Sequence, residues 1–206
     1  GGNRRQKAAN GRLDAINKQA NVKSIRNERW NVMTIFRERA ELFLGGTMPS
    51  FTGAAPFGWI QKIDPQTLEV INETPQLPCG DHVWCGAIAA HQNGNIIKVN
   101  GNFMHSISNQ CEVKIEKKLP VDQAHNGLLV LSDGSIVTKD LRLEGQGRST
   151  ITRLNDKLEL LHDPFVLPEG SMGRIASDKN DDGEFIYIPG IEKIWKIKVE
   201  ETLSVD

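Results

Sequence analysis

From about residue 57 onward, apolar positions fall into short runs broken by turn residues at a recurring interval. Three segments share one layout: CGAIAAHQNGNIIKVNG from Cys85, NGLLVLSDGSIVTKDL from Asn126 and MGRIASDKNDDGEFIYIPG from Met172. They align on Gly86, Gly127 and Gly173, spaced 41 and 46 residues apart. In each, an apolar run stops at a turn pair (Asn93-Gly94, Asp133-Gly134, Asp182-Gly183) and resumes as a second β-rich run. Such pairs favour the left-handed backbone of tight antiparallel hairpins. A second hairpin accompanies each copy: GWIQKIDPQTLEVI from Gly58, FMHSISNQCEVKI from Phe103 and STITRLNDKLELL from Ser149. Its outer run ends at Leu77-Pro78, Leu119-Pro120 or Leu167-Pro168, where proline suits a strand exit because it has no backbone donor.

Four short antiparallel strands in a unit of about 40 to 50 residues make a β-propeller blade. The pattern predicts an all-β chain: the outer strands of one blade (about 57–78), two complete blades (86–120 and 127–168) and most of a third (173–206). Roughly three and a half blades are fewer than the four to eight of a ring, so the chain is expected to be a piece of a longer protein whose remaining blades are its first partner. The first 54 residues read differently. Leu13, Ile16 and Ala20, then Trp30, Met33, Phe36, Ala40 and Phe43, recur at helical spacing, and Gly45-Gly46 supplies a stop. These predict a helix over 29–43 in an N-terminal segment (1–54), closed by the linker TMPSFTGAAPFG from Thr47.

Charge sharpens this division. The net charge is -1, yet residues 1–43 hold 10 Lys/Arg against 4 Asp/Glu, leaving the remainder acidic at 15 against 22. The basic segment reads as a solvated face and not as a nucleic-acid contact. No apolar run reaches the roughly 18 to 20 residues of a membrane-spanning helix, so a soluble chain is expected. Three cysteines, Cys79, Cys85 and Cys111, make no disulfide framework and lean toward a reducing, cytoplasmic setting, with a Cys79–Cys85 bridge left open.

In a propeller the loop leading into each innermost strand rims one mouth of the channel. Before the aligned glycines stand Trp84-Cys85, His125-Asn126 and Ser171-Met172, with His82 and Asp122 further out and Arg174 just after Gly173. The first expectation is a mouth that binds a small molecule or a protein partner through Trp84, Cys85, Ser171, Met172 and Arg174, with His82 and His125 beside them. The spacing of Cys79, His82 and Cys85 suggests zinc but lacks a fourth ligand. Asp178, Asp181 and Asp182 read as a hairpin turn. There is no phosphate-cradling glycine loop, serine nucleophile elbow or dinucleotide fingerprint.

The segment HNGLLVLSDGSIVTKD, from His125, resembles a blade motif of the gluconolactonase/regucalcin-like family and of the related strictosidine synthase-like propellers. That resemblance implies a metal-dependent hydrolase of lactones or esters, with Asn126 a ligand of a divalent cation (calcium, zinc or manganese) and His125 or His82 handling protons. Where the family has oxygen ligands in neighbouring blades, Cys85 and Met172 stand here, and neither supplies an oxygen from its side chain. The run from Gly58 to Pro168 also resembles bacterial propeller proteins of unassigned chemistry.

Overall fold

The computed structural model describes residues 33–38, 40–48, 55–84 and 86–205. Their strands form four antiparallel sheets, each a blade whose strands follow one another in chain order. Blade 1 comprises β1 (Met33–Glu38), β2 (Glu41–Met48), β3 (Phe57–Ile63) and β4 (Val70–Glu73), with the two-residue β5 (Leu77–Pro78) returning to the start of β3. Blade 2 is β6 (Ala87–Ala90), β7 (Ile96–Asn100), β8 (Phe103–Ile107) and β9 (Val113–Lys118). Blade 3 is β10 (His125–Val130), β11 (Ile136–Asp140), β12 (Thr150–Leu154) and β13 (Phe165–Val166). Blade 4 is β14 (Ala176–Asn180), β15 (Gly183–Pro189), β16 (Ile194–Val199) and β17 (Leu203–Val205). The repeat is thus an all-β propeller series, with four blades among the described residues.

The helix expected over 29–43 is corrected where it is described. Residues 33–38 and 41–48 are strands that pair from Met33↔Gly46 to Glu38↔Glu41, and Ala40 takes a left-handed φ of 62° in the turn between them. Residues 29–32, like Leu13, Ile16 and Ala20, lie outside the described residues. Gly45 and Gly46 do not stop an element: they sit inside β2, paired with Ile60 and Trp59 of β3. Blade 1 therefore draws its two inner strands from the segment that the sequence assigns to a separate N-terminal unit. Met33, Phe36, Ala40 and Phe43 fall in steps of three and four, which imitates a helix although the chain reverses at Ala40 between two paired strands.

Each blade packs on the next through three apolar layers. Phe43, Ile60 and Leu77 of blade 1 meet Ile96, Ile107 and Cys111 of blade 2. Ile97, Val99, Met104 and Leu119 meet Leu128, Ile136, Leu154 and Leu158 of blade 3. Leu129, Val137, Ile151 and Leu167 meet Ile175, Ile186, Ile188, Ile197 and Leu203 of blade 4. Strands β7 and β11 are buried at every position, since each has a neighbouring blade on both faces. The leucine of each Leu-Pro pair closes a layer, and Leu119 and Leu167 donate their amides to Asn102 and Ser149 at the start of the third strand.

The turn between the third and fourth strands also repeats. Asp64, Ser108 and Asn155 each accept two backbone amides through a side-chain oxygen. Leu68, Cys111 and Leu158 follow with left-handed φ values of 60° to 64°. The strand registers refine the glycine alignment. Gly127 pairs with Lys139 after a bulge at His125/Gly127, whereas Ala87 pairs with Val99, so the place of Gly127 is taken in blade 2 by Ala87. Gly86 is needed for another reason: its φ is 61°, and a Cβ there would collide with the Val99 carbonyl.

Two isoleucines three residues apart on β16 test the layer account. Ile197 is fully buried and Ile194 is 78% exposed. Ile197→Ala should cost about 2 to 5 kcal/mol in a denaturant titration, and Ile194→Ala at most about 0.5 kcal/mol. Equal losses would contradict the assignment of the two faces.

Candidate functional site

The loops leading into β6, β10 and β14 lie on the same side of the blades as the turns joining second and third strands. Hydrogen bonds between the two sets define the rim: Gly101 N to Trp84 O at 3.0 Å, His125 N to Gly101 O at 2.9 Å and Arg142 N to Ser171 O at 3.1 Å. The loops before β10 and β14 are thereby pressed onto the preceding blade, and the loop before β6 onto the β7–β8 turn of its own blade.

Arg174 is exposed, and its guanidinium reaches across the rim. Its Nη1 donates to the Gly86 carbonyl of blade 2 at 3.0 Å and to the Asn126 carbonyl of blade 3 at 3.3 Å. One side chain from the threshold of blade 4 thus ties the innermost strands of two other blades. Met172 is 54% exposed and Trp84 36%, unusual for residues of their size. Gly86 follows Trp84 by two residues, as Arg174 follows Met172.

Beneath Arg174 lies Lys139, which the sequence analysis did not single out. It is fully buried on β11, and its ammonium donates to Asn126 Oδ1 at 2.8 Å, Ser171 O at 3.0 Å and Asp140 O at 3.2 Å. All three acceptors are uncharged. Burial pulls the Lys139 pKa down to about 8, Asp140 opposes this, and the nearby Arg174 charge lowers it further. A lone lysine in the run Ile136-Val137-Thr138-Lys139 is visible in the sequence, and its meaning depends on knowing that this strand is covered on both faces.

Asn126 is almost wholly buried. Its Oδ1 receives Lys139, and its Nδ2 donates to Met172 O at 2.5 Å. The oxygen that the family resemblance would offer to a divalent cation therefore holds an ammonium, with a guanidinium close by. His125 is also buried: Nδ1 contacts Gln123 O at 2.8 Å, Nε2 has no hydrogen-bond partner among the described residues, and burial depresses its pKa to about 4. It is a neutral ring within the blade. Ser171 is committed as well, since its Oγ donates to Pro189 O at 2.7 Å and its amide donates to Ser149 Oγ at 2.9 Å. His82 Nε2 lies 3.5 Å from Asp122 Oδ1, further out along the rim. Cys85 falls outside the described residues, so the Cys79, His82, Cys85 spacing is not assembled in view. Among the described residues no group of three or more His, Cys, Asp or Glu side chains converges as a metal site. The structure thus brings together Trp84, Asn126, Met172 and Arg174 and adds Lys139, while it withdraws the side chains of His125 and Ser171 from solvent.

Comparison with known proteins supports the architecture. No protein-family model and no curated protein matches the chain. Among solved structures, a streptogramin B lyase structure is similar at 19% identity and a TM-score of 0.57, over 84% of this chain and 53% of the other. A protein of unknown function from Bacteroides caccae is similar at 18% identity and a TM-score of 0.51, over 79% of this chain and 56% of the other. The chain spans about half the length of these two proteins. Among the described residues, no helix is long and apolar enough to cross a membrane.

The buried ammonium makes a pH prediction. The folded-state pKa of Lys139 lies near 8, below the 10.5 of a free lysine, so between these values the unfolded chain binds more protons. The stability contributed by this shift is complete above about pH 10.5 and lost as the pH falls to about 8. Denaturant midpoints of the wild type should therefore rise from pH 8 to pH 10 relative to those of Lys139→Met, by up to about 1.4 kcal/mol per pH unit. Parallel curves for the two proteins would contradict the buried placement of Lys139. The chain's architecture is that of a β-propeller, a likeness of fold alone.

Proposed function

We propose that the channel mouth centred on Arg174 is a small-molecule binding site. The observation that carries this reading is the reach of Arg174 to the inner-strand carbonyls of two other blades, with Trp84 and Met172 exposed on the loops beside it. Ligand sites combine exposed apolar surface with a few fixed polar groups, and a guanidinium held by two carbonyls is such a group. Its orientation is set before any ligand arrives, which lowers the entropic cost of binding.

The alternative, a metal-dependent hydrolase of lactones or esters, meets a physical obstacle at its one matched ligand. A cation at Asn126 would have to displace Lys139 from Oδ1 and tolerate Arg174 nearby. The likeness to a streptogramin B lyase structure extends to fold, and propellers host many unrelated activities.

Soaking crystals of the protein in a mixed library of small fragments tests the proposal. Fragments should gather at Trp84, Met172 and Arg174. Gathering instead in the hollow of about 420 Å³ lined by Phe57, Leu77, Cys79 and Asp81 would overturn it. Tight calcium binding that Asn126→Ala abolishes would favour the hydrolase.

A further inference from the structure

The electrostatics of the mouth narrow the class of ligand, and the narrower statement rests on the reading of that mouth as a binding site. Lys139 and Arg174 lie close enough to repel each other, and their hydrogen-bond acceptors are carbonyl or amide oxygens. Among the described residues no carboxylate forms an ion pair with either. The other buried or half-buried cations of blade 3 are neutralised: Arg142 by Asp140 at 2.6 Å and Arg153 by Asp133 at 2.7 Å. The chain beyond residue 43 is acidic overall, so two cations at one rim, neither in a direct ion pair among the described residues and only Lys139 sensing the Asp140 charge, are not the overflow of a basic surface.

The geometry of Arg174 is more specific. Nη1 is taken by the two carbonyls, which fixes the plane of the guanidinium. Its other edge, formed by Nε–H and Nη2–H, meets no hydrogen-bond partner among the described residues. That edge is the fork that holds a carboxylate through two parallel hydrogen bonds. Trp84 and Met172 offer apolar surface nearby for the rest of the molecule, and an anion here would relieve the repulsion between the two cations.

We propose that the mouth recognises a small carboxylate with an apolar body, held by the Nε/Nη2 edge of Arg174, with Lys139 as a positioning residue that fixes Asn126 and the Ser171 carbonyl behind it. The predicted ligand is an organic acid, and a neutral isostere should bind poorly.

Benzoate, benzamide and inorganic phosphate are the probes, read by backbone amide shifts in the full chain. Benzoate should move the amides of Gly86, Asn126 and Gly173 and bind about tenfold more tightly than benzamide. Arg174→Gln should weaken benzoate about tenfold while the amide spectrum of the outer strands stays that of the wild type, and Arg174→Lys, which keeps the charge but loses the fork, should recover part of the loss. Equal binding of benzamide and benzoate at these amides would overturn the carboxylate assignment while leaving a binding site at the mouth. Phosphate bound more tightly than benzoate there would also overturn it. Benzoate shifts confined to other parts of the chain, or absent, would overturn it, and the fragment soak then tells whether the site itself also falls.

Discussion

A strand lying second from the channel has a blade on each of its faces, and this double burial is the constraint on which the other features depend. It explains why β7 and β11 are buried throughout, and why the apolar layers alternate sides from one strand position to the next. Each isoleucine or leucine removed from water in these layers contributes about 1.5 to 3 kcal/mol before chain entropy is counted. The turns at Ser108 and Asn155 serve the same end, because their left-handed fourth residues, Cys111 and Leu158, enter the layers between blades.

Polar groups caught in this sandwich need partners, and the mouth is where they find them. Lys139 lies on a doubly covered strand, so its ammonium can reach only the upper end of the blade, where Asn126, Asp140 and Ser171 supply oxygens. That arrangement fixes Asn126, whose backbone carbonyl in turn receives Arg174. The geometry at the rim is thus inherited from packing below it, and a charged buried group is tolerated because its hydrogen bonds are made.

Much of this was legible in the sequence and some was not, for physical reasons. Hairpin turns at Asn93-Gly94 and Asp133-Gly134 carry their own backbone signal, and the Leu-Pro exits mark strand ends, so the strand order of blades 2 to 4 could be read while the exact register of their first strands could not. The inner strands of blade 1 escaped because Met33, Phe36, Ala40 and Phe43 imitate helical spacing and because Gly45-Gly46 lies within a strand. The neighbourhood of the mouth was visible from the aligned loops, and Arg174, Trp84 and Met172 are accessible there. That His125 and Ser171 would be buried, or that Lys139 would occupy Asn126, follows from contacts between separate strands, 13 residues apart for Lys139 and Asn126 and 22 for Ser171 and Ser149, which no local pattern encodes.

The account's central claim is that Arg174 binds three blades into one rim. Hydrogen–deuterium exchange of the wild type and Arg174→Ala measures this most directly. The account predicts faster exchange at residues 86–87 and 126–128, remote in sequence from the substitution, with the outer strands β9 and β13 unchanged. A change confined to residues 171–176 would contradict it, because Arg174 would then be a local side chain with no hold on the other blades.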